Sequence, residues 1–190
     1  MIPQRSSQDL RGTWVEQQNR RNLPLIDYER GGTVLNSSSD DLQAVLWTAE
    51  CVDDTVYVYV GDGPRTAVLT EAGITQIALA FDQTMRPHIA YVVGGVCKFH
   101  WFDSQINAMT TTVIPDATTP RLCMDEKRAY YTNSSDVILS YKKGLDLVVR
   151  VQRERFTVEH VIDTGIPGDL VSVGMNSKNR LQWFCVGDRE

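Results

Sequence analysis

Three histidines are the side chains in this sequence most suited to bind a metal or to move a proton near neutral pH. They are His88, His100 and His160, which lie in strand-like segments with no short ligand spacing between any two of them. A metal site built from them would have to assemble from distant strands. The acidic residues are scattered, and no pair is fixed as acid and base. The sequence therefore predicts no metal site, no cofactor and no enzyme activity.

Paired glycines and clustered serines do not supply a catalytic motif either. Gly31-Gly32 and Gly94-Gly95 are not followed by a helical pattern, so they predict turns rather than a phosphate cradle. Ser37–Ser39 and Ser134-Ser135 lie in polar loops without the strand–turn–helix context of an activated serine. A propeller-type glycosidase would need convergent carboxylates and an arginine cluster, which the sequence does not place.

Four turn residues with oxygen-bearing side chains follow apolar segments: Asp53, Asp82, Asp125 and Asn176. Such a side chain accepts hydrogen bonds from backbone amides in the turn and tolerates the unusual dihedral angles there. Aspartate-rich turns also offer oxygen ligands for Ca²⁺. We expect turn formation to be the main role of these residues.

Several side chains are candidates for contact with a partner. Trp101 lies in the densest aromatic run, Phe99-His-Trp-Phe102, where alternation places neighbouring rings on opposite faces of a strand. One face would be core, and the other would be core or a surface that stacks on a sugar. Tyr130 and Tyr131 lie in a loop and are better placed for an exposed contact, and Arg153 belongs to an alternating polar face that suits a subunit interface.

The four cysteines are Cys51, Cys97, Cys123 and Cys185. They show no CxxC spacing and lie within apolar strand-like segments, so we expect buried thiols. A disulfide within or between subunits would form only after exposure to an oxidising medium.

Composition narrows the class of protein. The net charge of −5 argues against a nucleic-acid partner, which usually meets a basic face. No uninterrupted apolar run approaches the roughly 20 residues that span a bilayer, and the first residues lack the apolar core of a secretory signal. We therefore expect synthesis in a cytoplasm and no membrane insertion. Arginine outnumbers lysine, as suits an assembly subunit with planar, bidentate contacts.

The first 42 residues differ from the rest of the chain. This N-terminal arm (residues 1–42) is polar and lacks sustained periodicity, yet it carries apolar residues such as Trp14 and Tyr28. We expect it to pack on its own domain or on a neighbouring protein, with Trp14 as a contact residue. Residues 43–190 form the second unit, a domain of repeated strands.

Repetition of strand pairs predicts the fold. Three segments share an apolar strand, an Asp or Asn, a polar turn and a second apolar strand, and Leu46–Val60 is a weaker fourth copy. Residues 74–116 and 120–164 each hold four strand-like segments, as a β-propeller blade does. The sequence predicts an all-β fold: an antiparallel meander of propeller-like blades, about three to four per chain, with an extended N-terminal arm.

The number of blades predicts association. A propeller needs about four to eight blades, so three to four leave exposed edges in one chain. Either several subunits share one ring, with a homo-oligomeric trimer as the simplest solution, or an open array is capped by partners.

The repeats also carry a resemblance. The segments at 74–91, 135–141, 150–156 and 173–182 resemble virion or tail structural proteins of tailed bacteriophages, whose strand arrays look like propeller blades. This resemblance implies a tail component such as a nozzle, tip or fibre-attachment protein, located in the virion. Its partners would be other copies and, through the arm, other phage tail proteins. The alternative is a host-receptor or carbohydrate-binding tail module, whose partner would be a host surface glycan.

Overall fold

The computed structural model describes residues 12–13, 30–36, 44–82, 84–124, 136–175 and 180–186, with side chains from position 47 onward. Fifteen strands form four sheets, which we number I to IV. Sheet I contains β1 (Gly12–Thr13), β2 (Arg30–Asn36), β3 (Ala44–Val52), β4 (Thr55–Val60) and β5 (Thr66–Thr70). Sheet II contains β6 (Ile74–Phe81), β7 (Pro87–Val93), β8 (Val96–Asp103) and β9 (Ala108–Ile114). Sheet III contains β10 (Thr118–Met124), β11 (Val137–Lys143), β12 (Asp146–Val151) and β13 (His160–Asp163). Sheet IV contains β14 (Asp169–Met175) and β15 (Leu181–Val186).

The all-β prediction is confirmed. Strands follow one another in each sheet as an antiparallel meander, because each strand pairs with its neighbour along the chain. A short 3₁₀ turn at Gln152–Glu154 interrupts sheet III. In the described part of the chain the sheets do not close into a barrel or a propeller ring.

Sheets II and III match the two predicted four-strand sets closely. The weaker fourth copy, Leu46–Val60, does not occupy the corresponding position in its sheet. Asp82 follows the first strand of sheet II, whereas Asp53 lies in the turn between β3 and β4 of sheet I. The last strand of sheet III begins at His160. Arg155 and Phe156 adopt left-handed backbone angles (φ 52° and 55°), so the chain turns there before it pairs again at His160.

Part of the predicted N-terminal arm belongs to sheet I. Arg30–Asn36 pairs with β3 along its whole length. Gly12–Thr13 pairs with β2 and contacts β6, β10 and β14, the first strands of the other three sheets. These two segments therefore pack on their own domain, while a docking role for the arm stays a prediction.

Apolar clusters between successive sheets form the core. Sheets I and II enclose Ala49, Val56, Val58, Ile77, Leu79, Phe81, Ile89 and Tyr91. Sheets II and III enclose Ala78, Ala80, Ala90, Cys97, Phe99, Trp101, Ile114, Ala117, Leu122, Val137, Leu139, Tyr141, Val148 and Phe156. Sheets III and IV enclose Cys123, Ile138, Leu147, Val149, Leu170, Val173 and Met175. Sheets II and III are therefore apolar on both faces, and the four sheets stack in chain order.

The Phe156 ring packs between sheets II and III, and we refer to it as the Phe156 wedge. Its ring lies 4.5 Å from that of Phe99 and 5.1 Å from that of Trp101, both edge-on, and 6.1 Å from His88. The turn that presents it is closed by hydrogen bonds from the Arg155 and Phe156 amides to the carbonyls of Gln152 and Val151. An irregular turn thus supplies one of the largest rings in the core.

Replacing this wedge tests the stacking of sheets II and III. We expect Phe156→Ala to lower the free energy of unfolding by about 3–5 kcal/mol, since it removes a buried ring and leaves a cavity. Urea denaturation followed by tryptophan fluorescence measures the change. Val158→Ala, at an exposed position two residues away, is the control and should change stability by less than about 0.5 kcal/mol. Equal effects of the two substitutions would contradict the wedge.

Candidate functional site

Of the five contact residues predicted from the sequence, the structure describes Trp101 and Arg153. Trp101 is only 6% exposed, and its indole nitrogen donates a hydrogen bond to Thr112 Oγ1 (3.2 Å), so it belongs to the core and offers no surface to a sugar. Arg153 is half-exposed and forms an ion pair with Asp136 (2.6 Å) at the start of β11. Trp14, Tyr130 and Tyr131 lie outside the described residues. No contact site is assembled from these five positions in the part of the chain that the structure describes.

Asp82 has the turn role expected from the sequence. Its Oδ1 accepts hydrogen bonds from the Thr84 amide (2.8 Å), the Thr84 hydroxyl (2.8 Å) and the Arg86 amide (3.0 Å). Burial raises its pKa, but the His88 imidazole 3.5 Å away and hydrogen bonds from the Arg86 amide and Thr84 outweigh burial and lower the pKa to about 2. Protein donors thus occupy this carboxylate, which favours turn formation over a Ca²⁺ site.

Asp53 also lies in a turn, where its backbone conformation is the feature that suits the turn. It is exposed and has a left-handed backbone (φ 49°), a conformation that aspartate tolerates better than most residues. Asp125 and Asn176 lie outside the described residues. Among the residues that are described, no three histidine, cysteine or acidic side chains come together as a metal-binding group.

Ion pairs brace the ends of sheets II and III near the Phe156 wedge. Asp103, at the end of β8, accepts a hydrogen bond from the Gln105 amide (2.9 Å) and is paired with Arg155 across the sheet boundary. The Arg155 hydrogen bond lowers the pKa of this carboxyl group. The Arg86 guanidinium lies 3.5 Å from the centre of the Phe102 ring. The Asp103–Arg155 pair therefore joins sheets II and III, while the Arg86–Phe102 contact lies within sheet II.

A tyrosine, a glutamate and basic side chains form a network in sheet III. Glu159 Oε1 accepts hydrogen bonds from the Tyr141 hydroxyl (2.8 Å) and Arg150 Nη2 (2.7 Å), while Oε2 accepts one from Lys143 Nζ (2.9 Å). Arg150 Nε also donates to the Tyr141 oxygen (2.9 Å). The hydrogen bonds from Lys143, Arg150 and Tyr141 lower the pKa of Glu159 to about 2. Burial and the bond to Glu159 raise the pKa of Tyr141.

Sheet II contains a similar network of a tyrosine, a glutamate and a basic side chain. The Tyr91 hydroxyl donates to Glu71 Oε2 (2.8 Å), and Lys98 Nζ pairs with Glu71 Oε1. Tyr91 and Lys98 are direct cross-strand partners, so both lie on one face of the sheet. The hydrogen bonds from Lys98 and Tyr91 lower the pKa of Glu71. Glu71 is held in place because its amide donates to the Asp54 carbonyl (2.8 Å).

Sheet I contains the third such set. The Tyr59 hydroxyl donates to Glu50 Oε2 (2.8 Å), and Arg65 Nη2 donates to the same oxygen (3.3 Å). The Arg65 guanidinium also lies 5.0 Å from the centre of the Tyr59 ring. We refer to the three sets, centred on Glu50, Glu71 and Glu159, as the Tyr–Glu–base clusters.

The three Tyr–Glu–base clusters share one orientation. Tyr91 belongs to the core between sheets I and II, and Tyr141 to the core between sheets II and III, so each faces the preceding sheet. In sheet I, Val56 and Val58 pack toward sheet II, and strand alternation therefore turns Tyr59 to the opposite face. That face has no preceding sheet among the described residues. The sequence did not predict these clusters. One signal for them is that Tyr91 and Tyr141 each lie three residues before a turn glycine.

Two faces lie at the ends of the stack. The outer face of sheet I carries Thr48, Glu50, Tyr57, Tyr59 and Arg65. The outer face of sheet IV carries Ser172, Gly174, Gln182, Phe184 and Val186, which lie opposite Val173 and Met175 along their strands. Phe184 and Val186 are 46% and 44% exposed. Among the described residues, strands β2–β5 make no extensive contact with sheet IV, whereas β1 contacts β14.

The four cysteines are free thiols. Cys97 and Cys123 are buried, and burial raises the pKa of Cys97 to about 12. Cys51 and Cys185 are partly buried, and burial raises the pKa of each. Their chemistry at neutral pH is that of packed, protonated thiols.

Among the described residues, no helix has the length and apolar character needed to cross a bilayer. Comparison of the chain with profiles of known families, with curated proteins and with solved structures found no match. The interpretation of function therefore rests on the sheets and their exposed faces.

The Glu159 network predicts a specific dependence of stability on pH. The pKa of Glu159 is depressed in the folded protein, so its contribution is present above the ordinary glutamate range near 4.5 and is lost as the pH falls toward 2. We expect Glu159→Gln to lower the free energy of unfolding by roughly 1–3 kcal/mol at pH 7, because charge-assisted hydrogen bonds are lost. The variant should also show a shallower loss of stability between pH 4.5 and pH 2.

Urea denaturation across that pH range measures both effects. Asp62→Asn, at an exposed turn position, is the matched control and should leave both the stability at pH 7 and the pH slope unchanged. A Glu159→Gln protein with the wild-type pH slope would show that the network contributes nothing.

Proposed function

We propose that the chain is a structural component of a bacteriophage tail, a nozzle, tip or fibre-attachment protein that acts through oligomeric assembly. The tail assignment rests on the resemblance of the strand repeats at 74–91, 135–141, 150–156 and 173–182 to virion and tail structural proteins. The all-β stack is consistent with that resemblance. In this proposal the protein resides in the virion tail after synthesis in the host cytoplasm.

One observation supports assembly above all others: among the described residues, sheets I and IV each pack an apolar cluster on one face only. Sheets II and III bury both faces, and each buried face is worth about 25 cal/mol per Å² of apolar surface removed from water. Sheets I and IV each turn one face outward, and on sheet IV that face exposes Phe184 and Val186. Exposed apolar side chains grouped on one face mark an interaction surface.

The polar groups of the described residues support a structural role. Asp82, Asp103 and Glu159 each accept several hydrogen bonds or ion pairs from neighbouring side chains and amides, which leaves them committed to turns and sheet contacts. We therefore propose that the protein is not an enzyme and requires no cofactor. Its partners are other copies of itself, with a trimer favoured, and other tail proteins reached through the N-terminal arm.

Light scattering of the purified chain tests this proposal. We expect a stable multimer of three chains at micromolar concentration, with the same mass in reducing and non-reducing buffer, because Cys97 and Cys123 are buried and Cys51 and Cys185 are partly buried. Dilution through the nanomolar range by mass photometry gives the strength of association. A well-folded monomer at micromolar concentration would contradict assembly.

A further inference from the structure

The boundary between sheets III and IV differs in chemistry from the boundary between sheets II and III. The cluster between sheets II and III contains the aromatic rings of Phe99, Trp101, Tyr141 and Phe156. Among the described residues, the cluster between sheets III and IV contains no aromatic ring. Aromatic side chains bury the largest apolar areas in a core. Less apolar surface therefore holds sheet IV on sheet III than holds sheet III on sheet II.

Buried polar side chains of sheet III supply further contacts to sheet IV. Arg121 is fully buried and donates a hydrogen bond from Nε to the Val171 carbonyl (2.8 Å). The Thr119 hydroxyl, on the same strand, accepts a hydrogen bond from the Leu170 amide (3.2 Å). Both bonds join side chains of β10 to the backbone of β14, so they exist only while the two sheets are in contact.

Lys142 holds the segment that leads into sheet IV. This segment, residues 164–168, connects β13 to β14, and we refer to it as the sheet IV linker. Lys142 is 1% exposed, and its Nζ donates hydrogen bonds to the Ile166 carbonyl (2.5 Å) and the Leu145 carbonyl (2.9 Å). Gly165 and Gly168, on either side of Ile166, have left-handed backbone angles (φ 69° and 78°), which glycine adopts without strain.

Hydration of charge makes this boundary the less costly one to open. Burial of Arg121 and Lys142 removes two charged groups from water. Separation of sheet IV from sheet III would return both groups to water, and this hydration offsets part of the free energy of the lost hydrogen bonds. Separation of sheets II and III would instead expose the aromatic rings of their cluster to water, which is unfavourable.

We propose that sheet IV opens from sheet III as a unit, with the sheet IV linker as its hinge, while sheets I to III stay stacked. The contact of Gly12–Thr13 with β14 breaks in the same step. Opening uncovers the face of sheet III that contains Cys123, which is fully buried in the closed structure. It leaves Cys97 covered, since that side chain lies between sheets II and III. The inference goes beyond the proposed function, because it concerns a single chain.

The two buried cysteines report on the two boundaries separately. The native protein is treated with N-ethylmaleimide without denaturant, and peptide mass spectrometry gives the alkylation rate of each thiol. We expect Cys123 to react at least roughly tenfold faster than Cys97, because partial opening of a structure requires less free energy than global unfolding. Equal rates would overturn the proposal, since both thiols would then be reached only when the whole stack unfolds.

A strained linker tests the hinge. Gly165→Ala places a side chain at a left-handed position with no atom within 4 Å of the new Cβ, so its effect is on the backbone. This strain is released when the linker changes conformation on opening. We expect the variant to raise the Cys123 rate roughly 5- to 30-fold and to leave the Cys97 rate unchanged.

Gly94→Ala is the matched control. Gly94 lies in the turn between β7 and β8 of sheet II, is also left-handed (φ 56°) and also has no atom within 4 Å of a built Cβ. This variant should leave the Cys123 rate unchanged. A Cys123 rate that does not respond to Gly165→Ala, or that rises equally in both variants, would overturn the hinge and indicate that Cys123 is reached by local opening of β10.

Hydrogen exchange provides a second test that needs no variant. We expect the amides of β14 to exchange faster than those of β7, because β14 leaves the stack when sheet IV opens whereas β7 stays paired within sheet II. Equal protection of the two strands would contradict opening of sheet IV as a unit, whether or not Gly165→Ala folds.

Discussion

Burial of apolar sheet faces against one another is the interaction on which the rest of this structure depends. A single four-stranded meander has two faces, and a meander with apolar residues on both is not stable alone in water. Sheet II lies between sheets I and III, and sheet III lies between sheets II and IV. Each of these two sheets therefore buries both of its apolar faces. As a consequence, each sheet added to such a stack covers one sheet face and presents another.

Polar side chains then fix how the sheets meet. Tyr91 and Tyr141 carry hydroxyl groups into the core, and each hydroxyl donates to a glutamate that is itself paired with a basic side chain. A buried hydroxyl without such a partner would cost free energy, so the networks favour one register of the stack over others. The Phe156 wedge and the Asp103–Arg155 pair act in the same way at the end of sheets II and III.

Much of the fold was predictable because its signals are local. Alternating apolar residues and turn glycines predicted the two four-strand sets, residues 74–116 and 120–164, close to the bounds of sheets II and III. The phase of the fourth repeat was predicted wrongly because Asp53 and Asp82 look alike in sequence, while Asp53 follows the third strand of sheet I and Asp82 the first strand of sheet II. Arg30–Asn36 was missed as a strand because its two glycines read as a turn, whereas pairing with β3 determines its conformation. The left-handed turn at Arg155 and Phe156 likewise depends on the packing of the Phe156 ring against Phe99 and Trp101.

The sequence by itself determined the all-β class, the meander order and the positions of most turns, since each follows from side-chain alternation and backbone preferences over a few residues. Only the tertiary structure decided which faces are covered. It placed Trp101 in the core, gave the three Tyr–Glu–base clusters one common orientation and left Phe184 and Val186 of sheet IV about half-exposed. The physical reason is that alternation defines two faces of a strand, but whether a face meets solvent or another sheet depends on contacts between residues far apart in the chain.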